Sequence, residues 1–250
     1  DLATPSIAAI LQRELRLPEV PALDINAACS GFIYGLEVAR SLAAVSGRRY
    51  ALVVGAEQLS RFLSMEDRST AILFGDGAGA AVIECTETAG NREEAAQYVR
   101  LFGSRGSDVI LAPGVYTGAY EAREETNAET VCIDHMLMDG KEVFMFACDI
   151  IPRIIGGLLE QSGETMEDID HVVCHQANAR IIRHVYRAMH WPAEKFFMNM
   201  EKLGNTSAAS IPTALYDMQQ QGRLQRGERL ILAGFGGGLT WGGCILSYDA

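Results

Sequence analysis

The sequence lacks any run of about eighteen apolar residues, because charges or turn residues interrupt each candidate, so no helical membrane span is legible and no membrane partner is expected. Asp1 to Ser6 carries neither a basic segment nor an apolar one, so no signal peptide is read there, and the chain begins without Met. No C-x-x-C pair occurs among Cys29, Cys85, Cys132, Cys148, Cys174 and Cys244, which argues against a zinc ribbon or a thioredoxin-type motif. Most of these cysteines lie inside apolar runs, as buried thiols do, and the pattern fits a reducing cytoplasm better than a secreted disulfide scaffold. Basic residues are in deficit: 21 Lys plus Arg against 32 Asp plus Glu leave a net charge of −11. A nucleic-acid binder leans the other way, and none is expected as a partner. What is present is 250 residues with 48% hydrophobic and 21% charged content, enough to bury a sizeable core.

Thr4-Pro5 reads as a helix start, with Thr as cap and Pro at the first helical position, and Ile7, Leu11 and Leu15 as its stripe before Pro18. Ala22 to Ala27 reads as a short buried strand, Ser30 to about Val45 as a helix ending at Gly47, and Tyr50 to Val54 as a strand closed by Gly55. Ala71 to Phe74 and Ala80 to Glu84 read as strands around a Gly75–Gly79 turn. The polar segments 86–97 and 117–130 read as surface loops. Asp139 caps a long helix to about Gln161, which Pro152 is expected to kink. There follow a strand at His171 to Cys174, a helix over 178–189, a strand near Phe196 to Met198, a helix over 207–221, and strands at Arg229 to Ala233 and Trp241 to Tyr248. The alternation of strands and helices predicts an α/β fold.

The two halves echo each other, each running strand, reactive-looking residue, helix, strand, Gly-rich segment and strand. The expected division is 1–85, a connecting segment 86–138, and 139–250. The spacing gives Cys29 and Asn205 equivalent places at helix N-termini, close to a pseudo-twofold axis.

Cys29 sits in Asn26-Ala27-Ala28-Cys29-Ser30-Gly31-Phe32, between a strand and a helix. A helix N-terminus stabilises a thiolate, so its pKa is expected below the usual value. It is either a nucleophile or a buried structural cysteine. His175, in His175-Gln176-Ala177-Asn178, stands where a strand gives way to a helix, and reads as a site residue or a satisfied cap. Asn205, in Gly204-Asn205-Thr206-Ser207-Ala208-Ala209-Ser210, reads locally as a helix cap. The segment Gly234-Phe235-Gly236-Gly237-Gly238-Leu239-Thr240 brings backbone amides close to a ligand or forms a tight turn. Gly75 to Ala80 does not match G-x-G-x-x-G and precedes a strand, so a dinucleotide site is not supported.

Together with Phe74-Gly75-Asp76-Gly77-Ala78-Gly79-Ala80, these segments resemble the β-ketoacyl-acyl-carrier-protein synthase III family of the thiolase-like superfamily, over about Pro5 to Tyr248. The resemblance implies a duplicated, layered αβαβα fold and a Cys29-His175-Asn205 set. It also implies ping-pong condensation of an acyl-CoA with malonyl-acyl-carrier protein at the start of fatty acid synthesis. Cys29 would take the acyl group, the amides of Cys29 and Gly237 would hold the oxyanion, and His175 and Asn205 would stabilise the malonyl enolate. It further implies substrate contacts at Arg68, Phe144, Ala177, Asn178, Arg180, Phe235 and Leu239, with Phe144 and Leu239 on the acyl channel. Leu239 stands where relatives often have an aromatic residue and Lys141 where many have Asn, which bears on chain-length preference. CoA thioester enters as substrate, with no cofactor or metal expected, and a cytoplasmic homodimer is implied.

Arg180, Arg183, His184 and Arg187 fall at i, i+3, i+4 and i+7, one basic helix face suited to an acidic carrier protein or simply solvated. A relative that transfers acyl groups without decarboxylation, or takes unusual acyl chains as in polyketide-type synthesis, and a nucleotide-binding or purely structural α/β protein are the other readings. From Asp139, 66 residues lead to Asn205, whereas 28 lead to Cys29. The first repeat is therefore expected to lack about 40 residues at its start.

Overall fold

The computed structural model describes residues 4–85, 98–112, 120–121, 130–131 and 135–249. Its helices are α1 (Ile7–Glu14), α2 (Gly31–Ser46), α3 (Arg68–Ala71), α4 (Gly140–Ser162), α5 (Ala179–Ala188), α6 (Met200–Leu203) and α7 (Ser210–Gln220). Its strands are β1 (Tyr50–Glu57), β2 (Gly77–Glu84), β3 (Val99–Ser104), β4 (Ile110–Leu111), β5 (Tyr120–Glu121), β6 (Thr130–Val131), β7 (Leu137–Met138), β8 (His171–Cys174), β9 (Arg229–Gly236) and β10 (Thr240–Ser247).

The larger sheet has the order β3-β10-β9-β8, with β8 parallel to β9 and the other pairs antiparallel. Its central strands are apolar along their middles, on both faces, because both faces are covered. Val172, Ile231, Ala233 and Ile245 join Ile151, Ile154, Ile155 and Leu158 of α4 in one core. The alternate residues Val173, Leu230, Leu232 and Cys244 pack with Phe32, Ile33 and Leu36 of α2 and Ile211 and Met218 of α7 in the other. Each large side chain so enclosed contributes about 1.5–3 kcal/mol relative to exposure. The second sheet, β1 paired antiparallel with β2, covers the far side of α2 and α7. The order is thus helix, sheet, helix, sheet, as the duplicated α/β reading requires.

Local hydrogen bonding moves several expected boundaries. The α1 cap is Ser6, whose Oγ accepts from Ala9 N, while Thr4 and Pro5 precede the helix. Ala22 to Ala27 is not a strand. Asp24 is spent on the Ile7 and Ala8 amides at 2.8 Å each, and Asn26 on the Ala28 amide. Ala71 to Phe74 is not a strand either. Asp67 caps α3, accepting from Ser69 N and from the Thr70 hydroxyl, and such local bonds outcompete a ladder. Gly77 and Gly79, expected in a turn, lie within β2. Phe196 makes a single bridge to Val172 rather than a strand. Helix α4 begins at the Asp139 cap and continues through Pro152. The 86–97 loop and most of 117–130 lie outside the described residues, and 120–121 pairs with 130–131 in a short ribbon.

Gly55 of β1 runs against the Ala208 backbone so closely that an added Cβ would meet the Ala208 carbonyl oxygen at 2.4 Å. Gly106 has open space. Gly55→Ala should therefore lower unfolding free energy by about 1–3 kcal/mol or more, as overpacking does. Gly106→Ala should stay within about 0.5 kcal/mol of wild type. Denaturant unfolding of the two variants checks this, and equal losses would contradict the packing described.

Candidate active site

Cys29 lies in the single 3₁₀ turn Ala28–Ser30 that leads into α2. Ala28 has a φ of 46° and gives its amide to Asn26 Oδ1 at 3.2 Å. The turn is pinned to the β9–β10 hairpin. The Thr240 hydroxyl lies 2.8 Å from Ser30 Oγ and reaches the Ala27 and Gly237 carbonyls. A Cβ on Gly236 would stand 2.6 Å from the Cys29 nitrogen, so only glycine permits this approach.

The Ser207–Ala209 turn leading into α7 has the same build. Ser207 has a φ of 49° and gives its amide to Asn205 Oδ1 at 2.9 Å. The structural mate of Asn205 is therefore Asn26, and the mate of Cys29 is Ala208. This corrects the equivalence drawn from spacing, which was out by three residues because it aligned the reactive residues rather than the turns. Asn205 is tied by its amide to the Leu73 carbonyl and by its carbonyl to the Gly75 amide. The Gly-rich motif of the first half thus positions a residue of the second. With Oδ1 engaged by Ser207, the Nδ2 amide remains for a ligand.

His175 follows β8 and is 2% exposed. Its Nδ1 lies 2.7 Å from Ser210 Oγ, which also accepts the Gln176 amide. The Ser210 hydroxyl is able to donate to Nδ1, and the imidazole proton then sits on Nε2. Burial holds the ring neutral, pushing its pKa from 6.5 down to about 3, and Phe235 packs edge-on at 5.4 Å.

Cys29, His175, Asn205, Phe235, Gly237 and Ala177 border one cavity of about 1600 Å³. Burial pushes the Cys29 thiol up to about 11, opposed by the Ser207 hydroxyl and assisted by Glu57. The expected depression is not found, because desolvation of the half-buried sulfur outweighs the hydrogen bonds that favour its charge. Two acyl-channel expectations are corrected. Phe144 lies under the Arg180 guanidinium at 5.8 Å, in a smaller cleft, because one residue along α4 turns the side chain about 100°. Val143, its neighbour, borders the main cavity instead. Leu239 is buried outside the cavity wall, exchanging backbone hydrogen bonds with Arg105. Asn178 caps α5 through the Arg180 amide, and Arg68 is exposed on α3. Arg180, Arg183, His184 and Arg187 are exposed and line the smaller cleft together. Sequence reasoning missed Glu57, Thr240 and the roles of Ser207 and Ser210. Glu57 left only a faint signal, a carboxylate ending an apolar strand.

The sheets, the buried helix pair and the cavity between the two turns are those of the thiolase-like fold. Crystal structures of 3-oxoacyl-(acyl carrier protein) synthase III superpose on nearly all of the chain. The Pseudomonas aeruginosa protein is 37% identical with a TM-score of 0.86, over 100% of this chain and 74% of that one. The Thermus thermophilus protein is 34% identical with a TM-score of 0.87 over the same shares. The 3-oxoacyl-[acyl-carrier-protein] synthase III family matches residues 23–99, and its C-terminal family matches 159–248. The β-ketoacyl-[acyl-carrier-protein] synthase III of Acholeplasma laidlawii is 45% identical over 98% of this chain and 71% of its own length. That of Clostridium perfringens is 40% identical over 98% and 74%. The chain belongs to the β-ketoacyl-[acyl-carrier-protein] synthase III family.

The pKa of His175 sets a stability prediction. The unfolded chain binds the proton near 6.5 and the folded one only near 3, so the contribution is full above pH 6.5 and is lost as pH falls towards 3. Across that window wild type should lose about 1.4 kcal/mol more per pH unit than His175→Gln. Equal slopes in urea unfolding at several pH values would contradict a buried neutral His175.

Proposed function

We infer that this acyltransferase joins an acyl primer to malonyl-acyl-carrier protein, the opening condensation of fatty acid synthesis, in the cavity around Cys29. The observation that carries the reading is the convergence of Cys29, His175 and Asn205 on that one cavity. Cys29 attacks the acyl-CoA thioester as its thiolate. The backbone amides of Cys29 and Gly237 stabilise the oxyanion, a role supported by the hairpin pressed against the Cys29 turn. CoA departs, leaving the acyl-enzyme. His175 Nε2–H and Asn205 Nδ2–H then donate to the malonyl thioester carbonyl as carbon dioxide leaves, and the enolate carbon attacks the acyl-Cys29 carbonyl. Two neutral donors suit this step because they stabilise the developing enolate without surrendering a proton.

Phe235 and Ala177 shape the malonyl end, while Ile110, Met138 and Val143 offer an apolar wall to the acyl chain. Arg68, Asn178 and Arg180 are assigned to the CoA end, and the exposed Arg180, Arg183 and Arg187 face to the carrier protein. The division at 85 and 139 into two halves and a connecting segment belongs to the same reading. So do a cytoplasmic homodimer and CoA thioester as substrate. Among the described residues no helix is long and apolar enough to cross a membrane.

Mass spectrometry after mixing with short acyl-CoAs should find the acyl group on Cys29, and its absence with every acyl-CoA tried would overturn the reading. Asn205→Ala frees the Ser207 amide and so should slow this labelling, yet still take the label, while carbon dioxide release from the acylated enzyme falls by a further factor of about 10², the loss expected of an enolate donor. Equal loss of both would contradict its assignment. Arg183→Glu should raise KM for malonyl-carrier protein about tenfold with little effect on labelling by acyl-CoA. An unchanged KM would move the docking face elsewhere.

A further inference from the structure

Two carboxylates border the cavity with no part in the steps above, Asp24, which is bound to the Ile7 and Ala8 amides, and Glu57. Glu57 ends β1, is half-buried, and borders the cavity beside Cys29. Its Oε1 accepts from the Ser207 hydroxyl at 3.0 Å and from the Ala208 amide at 3.3 Å. Ser207 is 4% exposed, in a strained conformation that Asn205 holds. Ser207 borders the same cavity as Cys29, on a turn packed against the Cys29 turn, and there its hydroxyl favours the thiolate while the charge of Glu57 opposes it. The Ser207 hydroxyl has one proton and two neighbours that want it. If Glu57 is ionised, Ser207 donates to Glu57 and Cys29 keeps its proton. If Glu57 is protonated, it donates to Ser207, and Ser207 donates to the thiolate.

We propose that Glu57, through Ser207, takes the Cys29 proton during acyl transfer and returns it to the departing CoA sulfur. The proposal rests on the reading of Cys29 as the acylated residue. The S–H bond of Cys29 breaks as Ser207 Oγ takes the proton, and the Ser207 O–H bond breaks as Glu57 Oε1 takes that one. The sulfur keeps its electron pair and forms the bond to the acyl carbon, whose carbonyl pair moves to oxygen. Collapse expels the CoA sulfur with its electron pair, and the proton held by Glu57 passes back through Ser207 to that sulfur. Acyl-CoA and enzyme thiol thus become acyl-enzyme and CoA thiol, with no further reactant.

The surroundings favour one shared proton. No Lys or Arg of the described residues contributes to the shift of either group. Across the cavity, His175 is neutral. On the paired strand, Gly77 faces Glu57, and the preceding Asp76 is bound to the amide and hydroxyl of Ser60. The Ser207 turn brings no charge of its own. Two adjacent anions in such a site repel, so gain of the proton by Glu57 and its loss by Cys29 are coupled. Burial raises the Glu57 carboxyl above its ordinary value, in the direction that makes it a better acceptor.

Glu57→Gln keeps the shape and the acceptor oxygen but cannot take the proton, and Ser207→Ala removes the bridge. Acylation of Cys29 by acetyl-CoA is followed by rapid-quench mass spectrometry across roughly pH 5 to 10. Carbon dioxide release is followed separately, in a single turnover from enzyme acylated to completion. Both variants should slow acylation by about 10²-fold at neutral pH and shift its profile to higher pH, as loss of a general base does. Release from the preformed acyl-enzyme should change less than about threefold, and the double variant should be no slower than the slower single one. Glu57→Asp should recover part of the rate. Acylation by Glu57→Gln at the wild-type rate and profile would overturn the proposal, as would parallel loss of acylation and release, or a double variant slower by the product of the singles. If Glu57→Gln fails to fold, Ser207→Ala decides by the same readouts. Absence of acylation in wild type itself would instead sink the assignment of Cys29.

Discussion

Two turns with left-handed residues, at Ala28 and Ser207, are pressed against strands of the opposite sheets with no side chain between. Gly236 of β9 meets the Cys29 backbone, and Gly55 of β1 meets the Ala208 backbone. Such conformations in residues other than glycine cost about 1–3 kcal/mol each and persist only where the surroundings enforce them. Here Asn26 and Asn205 each take the amide of the left-handed residue, and the sheets close over the result. The contact puts Cys29 beside the Gly-rich hairpin and packs its turn against that of Ser207, which is bonded to Glu57. If the backbones stood further apart, the amides, the hydroxyl and the sulfur would no longer converge.

Around that contact, each polar group of the site is oriented by a neighbour that uses up its competing valence. Ser207 occupies Asn205 Oδ1, and Ser210 occupies His175 Nδ1, so that Nδ2 and Nε2 remain as donors. Burial keeps the imidazole neutral. The same burial works against the thiolate of Cys29. One enclosed site thus favours neutral donors, which suit the enolate of the proposed condensation, and disfavours the thiolate that the proposed acyl transfer needs. Ser207 and Glu57, hydrogen-bonded to each other, both act on that thiol.

The basic face of α5 works under other physics. Arg180, Arg183, His184 and Arg187 are exposed around the smaller cleft, so any single ion pair there is worth little, and the docking proposed above would draw on their combined pull on an acidic partner. In a chain of net charge −11 this concentration stands out against the rest of the surface.

By itself the sequence determined the elements whose signal is local. The α2 helix with its Gly47 stop, the Asp139-capped α4, the buried strands β8 to β10 and the basic stripe of α5 were all legible, because periodicity and caps act within a few residues. The motifs around Cys29, His175 and Asn205 were legible as well. Tertiary structure alone decided what depends on distant neighbours. It spent Asp24 on the α1 amides and so removed the expected strand at Ala22 to Ala27. It turned Phe144 away from the cavity and put Val143 there, since adjacent helical residues face different layers. It paired Asn205 with Asn26 rather than with Cys29, and it brought Glu57 to Ser207 across 150 residues of chain. A spacing rule counts along the chain, whereas burial, hydrogen-bond competition and the close approach of two backbones act through space.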